Sequence, residues 1–200
     1  MQGEARAWEL LAARDPRDVC ARAEADFSPA QGSYTISVLG CPVVVTPAAR
    51  TMSGSSAESD VILTKSAYFS RLSILLYLIC AQNIPPAGRL VRPSDLKARQ
   101  IYLQGSHVLP LDQMAARFAR DVDGFLRQAA RFGGEPRVYG DAGAELRPLP
   151  RLPVALVLWR EDDEFPASCD LLFDATCEEH VPADILWSIA MLCVKVMLQS

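Results

Sequence analysis

The run Val154-Ala155-Leu156-Val157-Leu158-Trp159 constrains this chain more than any other stretch. Six apolar residues without a polar break have the length of a strand, and a strand turns successive side chains to opposite faces of its sheet. A strand apolar on both faces needs cover on both, which predicts a central position under helices. The run belongs to a longer block, Leu152 to Asp174, in which two apolar arms flank the acids Glu161-Asp162-Asp163-Glu164. In the second arm Cys169, Leu171 and Phe173 fall on one face, and Ser168, Asp170 and Asp174 on the other. That alternation predicts a half-buried neighbouring strand with an acidic turn between the two, and it puts Leu158 and Phe173 in the core.

The rest of the chain supplies the cover. Phe69, Leu72, Leu75, Leu76 and Ile79 form a helical stripe that predicts a helix over Ser66–Gln82, stopped by Pro85-Pro86. Leu111, Met114, Ala115, Phe118, Val122, Phe125, Leu126 and Ala129 predict one amphipathic helix over Asp112–Phe132, and a third helix runs from Pro182 to Leu198. Ser33–Leu39 and Cys41–Thr46 on either side of Gly40 read as a hairpin, and Arg137–Tyr139 with Ala144–Arg147 as two short strands turning at Gly140 to Gly143. Upstream, helical spacing broken at Asp15-Pro16 predicts two short helices forming an N-terminal arm, residues 1–32, packed on the sheet. Residues 33–200 then make one domain. Pro47–Asp60 is small and polar, which predicts a mobile segment. Gly88–Gly105 carries Arg89, Arg92, Lys97 and Arg99 and reads as a solvated loop across one end of the sheet or as an anion-binding loop. The expected fold is α+β, a single domain with an antiparallel-dominated sheet covered by three main helices.

Composition narrows the function classes. Two hundred residues, 50% of them hydrophobic, suit one domain with a real core. A net charge of −4 gives no electrostatic footprint for nucleic acid or for an anionic membrane surface. The apolar helical stretches Ile74–Ala81 and Ile185–Leu198 fall short of the roughly 20 residues that cross a bilayer. Met1 to Leu10 is interrupted by Glu4, Arg6 and Glu9 and lacks the apolar core of a signal peptide, so a cytoplasmic location is expected. Cys20, Cys41, Cys80, Cys169, Cys177 and Cys193 are scattered singly, as reduced buried thiols are.

Four blocks match something known: Leu75-Leu76-Tyr77-Leu78; Gly133-Gly134-Glu135-Pro136 with Gly140-Asp141-Ala142; Pro150-Arg151-Leu152-Pro153; and Trp159 through Asp163-Glu164-Phe165-Pro166 to Leu172-Phe173-Asp174. Together they resemble the prokaryotic family called domain of unknown function 3786, and Tyr34, Ile36 and Leu111 fit it too. The resemblance runs from about Ser33 onwards, and the block from Trp159 to Asp174 is its specific part. It implies kinship with proteins common in anaerobic bacteria and archaea, some longer members of which carry an N-terminal four-cysteine iron–sulfur domain of the corrinoid-protein type. The first 32 residues here hold one cysteine, Cys20. No iron–sulfur cluster is therefore expected within this chain, and an iron–sulfur or corrinoid cofactor would come with a protein partner.

The residues that could carry chemistry are few. Trp159, Asp162, Asp163, Glu164, Asp174 and His180 are the ligand-binding candidates. The acidic block Glu161–Glu164 is open to three readings: a solvated turn with one acid capping backbone groups, pairing with arginines, or a ligand or metal role. His180 follows Glu178-Glu179 near Asp174 and Cys177, and a histidine beside acids near a helix start is expected at the surface or as a cap. His107 stands in a glycine-flanked loop. There is no Gly-x-Ser-x-Gly elbow, no Gly-x-Gly-x-x-Gly and no phosphate loop. The leading reading is a non-catalytic binding or accessory module handling a cofactor or a partner protein in anaerobic metabolism. The alternative is a small metal-dependent or acid–base enzyme using the Glu161–Glu164 turn with Asp174 and His180.

Overall fold

A computed structural model describes residues 2–97 and 108–199. The apolar run forms a strand over Leu152–Trp159 (β8), and it is central as expected, in a five-stranded sheet ordered β5-β9-β8-β7-β6. Its neighbours are Ala142–Leu149 (β7) and Ser168–Asp174 (β9), with Glu135–Arg137 (β6) and Leu90–Val91 (β5) at the edges, all antiparallel. The register pairs Leu156 with Leu171 and Trp159 with Ser168, so Val154, Leu156, Leu158, Leu171 and Phe173 share the core face. The opposite face is not under helices. Ala155 and Val157 are buried there outside the main core, on the face where Glu145 and Arg147 pair at 3.2 Å and Arg137 reaches Glu145 at 3.3 Å. Small residues under long charged side chains give the second face its cover.

The sheet is joined by a second one. Asp26–Ser28 (β1), Ser33–Val38 (β2), Cys41–Thr46 (β3) and Thr51–Ser53 (β4) form a four-stranded antiparallel meander. The expected hairpin turns on Leu39 and Gly40, both at positive φ (49° and 74°), the backbone that a two-residue turn matched to strand twist requires. Gly40 backs onto Gly133, where an added Cβ would lie 2.8 Å from the Gly40 Cα, and the Leu39 N–H donates to the Arg147 carbonyl at 3.0 Å. Only paired glycines let the two backbones approach so closely.

Helices Gln2–Ala12 (α1) and Pro16–Ala23 (α2) break at Asp15-Pro16, with Asp15 capping the second. They lie against Ala67–Cys80 (α4) rather than on the sheet as expected, because Ala7, Trp8 and Leu11 are needed to bury the outer side of that helix. Pro47–Asp60, expected to be mobile, instead forms β4 and the short helix Ala57–Asp60 (α3). Its ordering comes from the β3 ladder, from a reciprocal Ser56–Ser59 capping box and from an ion pair between Glu58 and Arg131 at 3.0 Å. The single helix expected over Asp112–Phe132 is two, Leu111–Phe118 (α5) and Val122–Arg131 (α6). Asp121 breaks it by capping the Gly124 N–H at 2.7 Å. The last helix, Ala183–Met197 (α7), packs on α4 and on β7. Among the described residues no single helix is long and apolar enough to cross a membrane. The architecture is a single-domain α+β fold.

Candidate functional site

Because β8 and β9 are antiparallel, the sequence-predicted site residues divide between the two ends of the sheet. At one end are Trp159, the loop 160–167 and the β6–β7 turn. Four large apolar side chains stand in solvent there: Val138 is 102% exposed, Phe165 66%, Trp159 46% and Tyr139 36%. Monomer surfaces seldom gather such groups without a partner. Polar groups hold the Trp159 ring and the Phe165 backbone in place. The Trp159 indole N–H donates to Asp170 Oδ2 at 3.0 Å, across the outward face of the sheet. Gly140, at φ 56°, lies under that indole: a Cβ there would meet Val157 Cγ1 at 2.7 Å and Trp159 Cδ2 at 3.4 Å. The neighbouring Asp141 accepts from the Arg160 N–H at 2.8 Å and donates its own N–H to the Leu158 carbonyl at 3.0 Å.

The acidic block closes on itself. Asp162 Oδ1 accepts from the N–H groups of Glu164 and Phe165 at 2.9 and 2.7 Å, and the Asp162 N–H donates to the Phe165 carbonyl at 3.0 Å. These backbone donors hold the Asp162 carboxyl below the usual carboxylate range. Glu161 pairs with Arg120 at 2.7 Å, joining the loop to the α5–α6 connection across a depression of about 680 Å³. One acid thus caps backbone groups and another pairs with an arginine. The Asp163 and Glu164 side chains are exposed and make no hydrogen bond or ion pair among the described residues.

At the other end of the sheet polar groups are inside. Asp174 falls on the outward face as the strand period requires, yet it is buried, because residues 87–88 fold over it. Its carboxylate accepts from Ala87 N (3.0 Å), Gly88 N (2.7 Å), Thr176 N (2.9 Å) and Thr176 Oγ1 (2.7 Å). Burial alone would raise its pKa, and the Thr176, Ala87 and Gly88 donors together hold it below the ordinary value. At the same end of the sheet lies a group that the sequence reading passed over. Arg151 is buried, donating to the carbonyls of Arg22 (2.8 Å) and Ala21 (3.3 Å) at the end of α2 and to Asn83 Oδ1 (2.8 Å), with Glu24 at 3.2 Å. Its backbone N–H donates to the Tyr77 hydroxyl at 3.0 Å. The signal for it was a lone charge inside Pro150-Arg151-Leu152-Pro153.

His180, expected at the surface or as a cap, is fully buried, its ring centroid 6.4 Å from that of Tyr77. The turn Cys177–Glu179 and the start of α7 enclose it, and neither ring nitrogen has a hydrogen-bond partner among the described residues. Burial, with the nearby Arg151 charge, lowers its pKa against the opposing pull of Asp174, Glu179 and Glu24, so the ring is neutral. Burial pushes the Cys177 thiol up to about 12, which leaves no thiolate for that histidine to activate. Among the described residues no three His, Cys, Asp or Glu side chains converge as metal ligands. Asp174 is the last residue of the seven-residue β9, and the acidic loop lies beyond the other end of that strand, roughly 20 Å away. The structure therefore does not bring the Glu161–Glu164 turn together with Asp174 and His180. Of the basic stretch, Leu90–Val91 forms an edge strand, while Arg99 and His107 lie outside the described residues.

Residues 15–196 match the model of the family described as Domain of unknown function (DUF3786), and the chain belongs to that family. No curated protein and no solved structure matches it. The matched region contains both ends of the sheet, and α1 precedes it.

Proposed function

We propose that this member of the family is a non-catalytic binding module that receives a partner protein at the Trp159 end of its five-stranded sheet. One observation carries the reading: Val138, Tyr139, Trp159 and Phe165 are exposed together at that end, while hydrogen bonds accepted by Asp141, Asp162 and Asp170 fix the Trp159 ring and the backbone of Arg160 and Phe165. Tryptophan and tyrosine dominate the energetics of protein interfaces, and a rigid presentation lowers the entropy lost on docking. Asp141, Glu161, Asp162, Asp163, Glu164 and Asp170 surround the apolar groups, against Arg160 in the loop and Arg120 reaching in. The partner face is accordingly apolar at its centre and basic at its rim.

The family resemblance supports the finer assignment, an accessory role in anaerobic metabolism with a cytoplasmic partner that carries an iron–sulfur or corrinoid cofactor. The cofactor would be the partner's, since the cysteines of this chain stand singly and four of the six are buried. The enzyme reading asks residues at opposite ends of the sheet to share one reaction, and it loses support for that reason. A photoreactive phenylalanine analogue tests the proposal. Placed at Phe165 it should give a discrete crosslinked adduct in the cells that make the protein, and placed at the exposed Thr51 of β4 it should not. Equal adducts from both positions, or none from Phe165, would overturn it.

A further inference from the structure

On the far side of the helical layer, α1, α4 and α7 enclose a half-open groove of about 540 Å³, within the range of about 300–1,000 Å³ typical of small-molecule sites. No residue of the Trp159 end lines it. Tyr68 and Trp187 line it and are fixed through Phe69 behind them: Tyr68 stands edge-on to Phe69 at 5.1 Å between ring centroids, and Phe69 stands edge-on to Trp187 at 5.7 Å. Tyr68 is 69% exposed, so one ring of the series faces solvent at the mouth. Leu72 and Ile185 complete the apolar lining.

Three charges border this wall, and they are not equivalent. The Arg71 guanidinium is held by Glu4 Oε1 at 2.8 and 3.0 Å, and the same oxygen accepts from the Trp8 indole at 3.4 Å. That cation is already matched. Asp184, in the first turn of α7, lines the groove and makes no hydrogen bond or ion pair among the described residues. Among the described residues the groove therefore offers aromatic rings and one unmatched carboxylate, with no unmatched positive charge. Aromatic faces attract cations through their quadrupole, and a carboxylate at the rim adds a counter-charge.

We propose that the groove is a second site, which binds a small organic cation whose charge sits on or beside a flat apolar ring system. The ring lies against Tyr68 and Trp187 and the charge faces Asp184. A pair of probes with like shape and opposite charge, aminoacridine and anthracene carboxylate, tests this on the full chain by titration calorimetry. Aminoacridine should bind at least roughly ten-fold more tightly than the carboxylate. Asp184→Asn should weaken aminoacridine about ten-fold and leave the carboxylate unweakened or tighter, and Tyr68→Ala should weaken both. Both positions are exposed, so the folded state is retained, which melting curves check. Asp162→Asn with Asp163→Asn, at the other surface, should leave aminoacridine binding as it was. Equal or tighter binding of the carboxylate, indifference to Asp184→Asn, loss with the Asp162/Asp163 pair, or no binding by either probe would each overturn the proposal.

Discussion

The two ends of one sheet use the same strands in opposite ways. At the Asp174 end, charged and polar side chains are inside: Asp174, Arg151 and Tyr77 bond backbone groups from residues 21–22, 87–88, 151 and 176, and His180 lies among them. At the Trp159 end, apolar side chains are outside, and the polar groups beside them serve to hold them there. Buried polar groups and exposed large apolar groups are the two informative departures from ordinary burial. On the proposed function, a residue at the first end matters to the fold, and one at the second to a partner.

Substituting one residue type at each end is the strongest way to break that contrast. Phe173→Ala removes a fully buried ring and should lower the unfolding free energy by about 3–5 kcal/mol. Phe165→Ala removes an exposed one and should stay within about 0.5 kcal/mol, with urea unfolding as the readout for both. Equal losses would erase the distinction.

Carboxylates give a smaller version of the same test. Asp174→Ala leaves four donors at the crowded end without their acceptor and should cost about 3 kcal/mol. Asp170→Ala frees only the Trp159 indole, which water can reach, and should cost less than about 1 kcal/mol.

The buried histidine sharpens the contrast through pH. The folded pKa of His180 lies below its ordinary value of 6.5, so as pH falls the unfolded chain takes up the proton first. Its contribution to stability is complete above about pH 6.5 and is lost as pH falls through the folded value. His180→Phe should match or exceed the wild-type melting temperature near neutral pH, since no hydrogen bond is lost, and should lack the part of the acid-side slope that His180 supplies. An unchanged slope would show that the ring takes up its proton over the same pH range in the folded and the unfolded chain.

The smallest effect belongs to the acidic loop. Asn retains the Oδ1 that caps Glu164 and Phe165, and exposed charges contribute little, so Asp162→Asn with Asp163→Asn should shift stability by no more than about 0.5 kcal/mol.

Local pattern made part of this architecture legible in the sequence. The central strand, the pairing of β8 with β9, the core positions of Leu158 and Phe173, and the hairpin at Gly40 all follow from period and turn chemistry within a few residues. The missed features depend on distance along the chain. Asp174 is buried by a segment 86 and 87 residues away, and Arg151 is satisfied by the end of α2, 129 and 130 residues away, so neither enclosure leaves a local trace. The break at Asp121 was hidden because the apolar stripe continues across it, in step, from Phe118 to Val122. Pro47–Asp60 looked disordered because its cap is Ser-x-x-Ser and its β ladder belongs to another strand. At the Trp159 end the loop acids were legible, whereas Val138 and Tyr139 read as part of a short strand that in fact ends at Arg137, and the fold alone gathers them with Phe165.

The central claim is that the Trp159 end receives the partner protein and the buried polar groups of the Asp174 end do not. A double change, Trp159→Ala with Phe165→Ser, tests it when unfolding and partner capture are measured on the same preparation. The account predicts a melting temperature near that of wild type, together with loss of the protein that the wild-type chain retains from its native cells at low salt and releases at high salt. Retention of that protein by the double variant, or a collapse in stability, would contradict it.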